Sequence, residues 1–104
     1  MSKKDKLILQ NAINCSDILP RGQKNVLNII CSSDYPVSAK HIEKLIGLTK
    51  QTVNFSIKSL LSRNFIIREK DGVFVYKANQ DRVTELIDRY KTTLNKHQKT
   101  TDLL

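Results

Sequence analysis

The sequence predicts a mainly α-helical domain carrying one small β-hairpin. Apolar residues recur at helical spacing in five separate segments. Two of these segments are joined by a tight turn at Gly47, and two short runs rich in β-branched and aromatic residues follow them, on either side of Asp71-Gly72. At 104 residues, with no internal repeat, the chain is read as one domain over 1–95 with a flexible polar tail over 96–104.

Each element has its own local reason. Residues 3–14 hold Leu7, Ile8, Ala12 and Ile13 at near-helical spacing, with an apolar face expected to need a second subunit for its burial. Pro20 suits the opening turn of a second helix, in which Val26, Leu27, Ile29 and Ile30 form a broad apolar face. Residues 32–36 are a loop. Ser38 can cap a third helix that buries Ala39, Ile42, Leu45 and Ile46 and leaves Lys40 and Lys44 outside.

Gly47 can take the positive φ that ends this helix and turns the chain. Thr49 then caps a fourth helix over 49–63, whose Val53, Ile57, Leu60 and Leu61 make one buried stripe. A turn of 100° per residue puts Gln51, Phe55, Lys58 and Ser62 on the opposite side, with Thr52 and Asn54 on its shoulders. A hairpin over 65–78 is expected to reverse through a two-residue Asp71-Gly72 turn.

The last helix, over 81–95, has Asn79 or Asp81 available as cap. Its Val83, Leu86, Ile87, Tyr90 and Leu94 exceed the needs of a small core. Together with Leu7 and Ile8 they are the expected contacts of a homodimer, the alternative being packing of the last helix on the first within one chain.

A formal charge of +8 and a sequence pI near 9.7 point to a polyanionic partner. The surplus is local. Residues 38–77 carry Lys40, Lys44, Lys50, Lys58, Arg63, Arg68, Lys70 and Lys77 against Glu43, Glu69 and Asp71, whereas the charges over 79–95 cancel. Gln51, Thr52 and Asn54 are short polar groups of the kind that pair with base edges, and Lys50 and Lys58 flank them with charge suited to phosphates. Phe55 on the same face suits a thymine methyl or a protein partner. Arg68 and Lys70, near the hairpin tip, suit a phosphate backbone or a minor groove.

Other classes are excluded by what is missing. No segment reaches bilayer-spanning apolar length and the first residues lack a signal peptide's apolar centre, so a cytoplasmic location is expected. Cys15 and Cys31 have no neighbour in zinc-ligand spacing and are expected to be reduced, buried thiols; a redox-sensing role for Cys15 would require a stabilised thiolate. His41 and His97 are the only histidines, with no nucleophile, paired carboxylates or glycine-rich phosphate loop around them. Neither a catalytic site nor a metal or cofactor is expected.

With these residues in place the chain resembles a winged helix-turn-helix protein, most closely the MarR-like transcriptional regulators, with ArsR-like and TrmB-like proteins as near relatives. Residues 19–27 resemble the start of the helix before the reading head, with Gln23, Val26 and Leu27 in familiar places. Residues 42–48 with Thr49, Thr52 and Val53 are similar to the LGLS-x-x-TV signature, and residues 60–66 resemble the LxxxGLV segment entering the wing. The likeness covers residues 19–76. Glu43 stands where Ala is usual, Asn64 where Gly is common, and the wing lacks the family's Asp-x-Arg element.

The expected function is sequence-specific binding of double-stranded DNA by a homodimeric regulator of prokaryotic, plasmid or phage type. The reading head is 38–78: helix 49–63 enters the major groove with Gln51, Thr52, Asn54 and Phe55, while Lys40, Lys50, Lys58, Arg68 and Lys70 hold phosphates. The rival reading is a winged helix that docks onto another protein through Phe55.

Overall fold

The computed structural model describes residues 3–102, and the side chains of residues 6–94. In order along the chain lie α1 (Lys3–Asn14), α2 (Arg21–Ser32), β1 (Val37–Ser38), α3 (Ala39–Ile46), α4 (Lys50–Ser62), β2 (Ile66–Asp71), β3 (Val73–Ala78) and α5 (Gln80–Asp102). The three strands form one antiparallel sheet in the order β1-β3-β2. α1 packs on α5, α2 lies between α1 and α4, and the sheet closes the far side of α2 and α3.

Local signals set most of the boundaries. Ser38 Oγ accepts from the His41 amide at 3.2 Å, and Thr49 Oγ1 from the Thr52 amide at 3.2 Å, so both helices of the turn begin on side-chain caps. Gly47 ends α3 at φ 74° while its amide donates to the Glu43 carbonyl. Asn64 takes φ 64°, as its place after α4 requires. Asn79 ties the base of the wing: its backbone amide donates to the Phe65 carbonyl, and its side-chain amide to the Asn64 carbonyl, each at 2.9 Å. It immediately precedes α5, and its backbone carbonyl accepts from the Val83 amide at 3.0 Å.

The core joins Leu9 and Ile13 of α1, Val26, Leu27 and Ile30 of α2, Ile42, the stripe Val53, Ile57 and Leu60, and Phe65, Ile66, Val83 and Leu86. Burial of such side chains, each contributing about 1.5–3 kcal/mol, is the main term opposing chain entropy. Gly22 faces the buried Ser56, and a Cβ built there would lie 3.5 Å from Ser56 Oγ. That pair of small residues lets α2 and α4 approach closely.

Several expectations are corrected. The sheet has a third strand, because Val37 and Ser38 pair with Tyr76 and Val75 and so become extended through a partner remote in sequence. The hairpin reverses about Gly72 and not through a two-residue turn: Lys70 pairs with Phe74 and Asp71 with Val73. In α1 Leu9 points inward with Ala12 and Ile13, and Leu7 is exposed, so one chain buries this α1 stripe by itself. α3 is only two turns long and buries Ile42 alone, leaving Leu45 58 % exposed. Leu61 is half-buried, and Ser56 is buried at the opposite edge of the stripe. Helix α5 extends to Asp102, past the expected end at 95; the last two residues of the expected tail lie outside the described residues.

Candidate nucleic-acid interface

The α4 helix presents two faces of opposite character. Val53, Ser56, Ile57 and Leu60 point inward, and Lys50, Gln51, Thr52, Phe55 and Lys58 are exposed, with Asn54 half-buried at the edge. Burial of the inner stripe fixes the helix's rotation, so the polar face is turned outward as a consequence of packing. Thr52 is held locally, its hydroxyl 2.8 Å from that of Thr49. Phe55 is 68 % exposed on the same face.

Exposed cations are carried by α3, α4 and the wing. Lys40 and Lys44 are exposed on α3, and Lys50 and Lys58 on α4. On the wing, the β2–β3 hairpin, Arg68 and Lys70 are exposed. Of the residues expected to meet DNA, all but the half-buried Asn54 are exposed, on α3, α4 and the wing. Lys44 is a further exposed cation on α3, and Phe74 is exposed on the wing beneath Arg68 and Lys70. Lys44 follows from its place outside α3, but Phe74 becomes visible only through the wing register, which sets it opposite Lys70.

The residues expected at a dimer contact separate into two groups. Val83 and Leu86 are 1 % and 3 % exposed within the single chain, because α1 covers this side of α5; they are core residues and not free contacts. Ile8, Ile87 and Tyr90 are half-buried, and Leu7 and Leu94 are exposed. Between the end of α1 and α5 lies a cleft of about 420 Å³ lined in part by Cys15, Arg89, Tyr90 and Leu94.

Cys15 is exposed where the chain leaves α1, correcting the expectation of a buried thiol. Cys31 is largely enclosed, and burial pushes its thiol up to about 12. Lys6 beside Asp34, hydrogen-bonded at 3.0 Å, lowers that carboxyl below its usual range. His41 lies exposed on α3. Among the described residues, no group of three His, Cys, Asp or Glu side chains is placed to hold a metal ion, and no helix is long and apolar enough to cross a membrane.

The sequence model of the MarR family matches residues 16–73, more than half of the chain. The chain belongs to the MarR family. Members of that family are transcriptional regulators and not enzymes, so this MarR-family chain is a transcriptional regulator. No curated protein matches it in sequence.

Solved structures share the MarR-type fold. A protein of unknown function from Listeria innocua is similar at 27 % identity and a TM-score of 0.60, over 97 % of this chain and 81 % of that one. The multiple antibiotic-resistance repressor MarR from Listeria monocytogenes is similar at 15 % identity and a TM-score of 0.64, over 98 % of this chain and 72 % of that one. The activation domain of the phage T4 transcription factor MotA is similar at 20 % identity and a TM-score of 0.58, over 93 % and 95 %.

Proposed function

We propose that this MarR-family chain acts as a homodimer that binds double-stranded DNA in a sequence-specific manner. Helix α4 enters the major groove, where Gln51, Thr52, Asn54 and Phe55 meet base edges. Lys40, Lys50, Lys58, Arg68 and Lys70 hold the phosphate backbone, the last two from the wing. The observation that carries the reading is the outward, lysine-flanked polar face of α4. Leu7 and Leu94, exposed, with the edges of Ile8, Ile87 and Tyr90, supply the apolar surface for a second copy. A cytoplasmic location accompanies this role.

Selection of bound fragments from random duplex DNA, followed by sequencing, tests the proposal. The expected result is a palindromic site with half-sites about one helical turn apart. Enrichment of no sequence at all would contradict base reading. A second reading is favoured by the exposed Phe55 ring: a winged helix that docks onto a protein, with Phe55 as anchor. Under that reading duplex DNA gives no titration even at low salt, and Phe55→Ala abolishes partner binding.

A further inference from the structure

The register of the wing sorts its side chains by face. Ile66, Arg68 and Lys70 stand opposite Ala78, Tyr76 and Phe74, and strand pleating puts these six on one side of the sheet. At the base this side belongs to the core, where Ile66 is buried and Tyr76 packs against it. Toward the tip it leaves the core, and Phe74 is 47 % exposed there. The Arg68 guanidinium carbon lies 4.5 Å from the centroid of the Phe74 ring, and Lys70 Nζ lies 5.8 Å from it. Among the described residues neither cation has a carboxylate partner; the adjacent Glu69, on the other side of the sheet, is paired with Lys77.

We infer that Phe74 is a positioning residue for the wing's DNA contact: its ring holds Arg68 and Lys70 in place while their N–H groups stay free for backbone phosphates. A carboxylate would order the same two side chains but would occupy their donors and cancel their charge. An aromatic face attracts a cation through its quadrupole and leaves the donors unspent. Two long, mobile side chains are thereby restricted before DNA arrives, which lowers the ordering cost of the contact. The inference rests on the DNA-binding reading above and adds a role for a residue that touches no DNA itself.

The test is a fluorescence-anisotropy titration of a labelled mixed-sequence DNA duplex at low salt, with folding of each variant checked by circular dichroism. Phe74→Leu keeps the apolar bulk and removes the ring, and it is expected to weaken binding about three- to five-fold. Phe74→Trp keeps an aromatic face and is expected to bind within about two-fold of the native chain. When Arg68→Ala and Lys70→Ala are already present, Phe74→Leu is expected to have no further effect, since the groups it orders are gone. An equal loss in both backgrounds, no loss in either, or a folded Phe74→Trp as weak as Phe74→Leu would overturn the inference. Failure of the native chain to bind the duplex is a separate result, which removes the DNA-binding reading itself.

Discussion

Arg82, in the first turn of α5, donates from Nε to the backbone carbonyl of Arg63 at 3.1 Å and so closes the C-terminal end of the α4 helix. The same guanidinium lies 4.4 Å from the centroid of the buried Phe65 ring and pairs with Glu85. Arg63 turns its own guanidinium toward that ring at 5.4 Å and reaches Gln23 of α2 at 3.3 Å. One polar cluster therefore joins α2, the end of α4, the entry to the wing and α5.

Removal of Arg82 should consequently be felt in stability. Arg82→Ala is expected to cost about 1–2 kcal/mol, from one charge-assisted hydrogen bond and one partly solvated cation–π contact. Arg82→Met, which keeps the stem over Phe65, should recover part of that loss. Urea denaturation of both variants measures it, and an unchanged midpoint for Arg82→Ala would mean that the cluster contributes nothing net.

The two roles assigned to α4 separate by substitution. Asn54→Ala should cost about 1–3 kcal/mol on a selected site and relax the preference at one base position, whereas Lys58→Ala should weaken all sequences alike and reduce the salt slope by about one. Titrations on the selected site and on a scrambled duplex, over a range of salt, distinguish them. Identical, sequence-independent losses would show that Asn54 does not read a base.

Asn64 sits in the left-handed region at φ 64°, and its carbonyl receives the Asn79 amide. Asn64→Gly keeps this geometry and should leave the thermal midpoint nearly unchanged. Asn64→Val forces a β-branched residue into the same backbone and should cost about 1–2 kcal/mol, a fall of several degrees.

The two thiols should differ sharply toward an alkylating reagent. At mildly alkaline pH, native protein should be labelled at the exposed Cys15 and protected at Cys31, whose thiol burial pushes up to about 12. Because the folded chain holds the Cys31 proton above the pH at which an unfolded thiol, near 8.5, releases it, stability should fall as pH rises from about 9 toward 12. Cys31→Ala should lack that slope. Equal labelling of both residues without denaturant would contradict the burial of Cys31.

What the sequence made legible was mostly local chemistry. Ser38 and Thr49 announce their helices because a hydroxyl needs only the amide three residues on, and Gly47 and Asn64 announce turns because the backbone there needs positive φ. The outward face of α4 was legible because four inward residues define a rotation. Val37 and Ser38 were not legible as a strand, since only their pairing with Tyr76 and Val75 extends them. The role of Phe74 was hidden for the same reason: a register centred on Gly72 makes Lys70 its opposite neighbour, and a turn one residue longer would not. In α1, Leu7, Ile8 and Leu9 are equally apolar, and the placement of α2 and α5 decides that Leu9 goes inward.

Amide chemical shifts of the full chain, followed by NMR during titration with the selected duplex, report which surface meets DNA. The expected result is a set of perturbations concentrated at residues 49–58 of the fourth helix and 68–74 of the wing, fading as salt is raised. Perturbations confined to α1 and α5, or spectra that do not change, would contradict the assignment of the α4 polar face to nucleic acid.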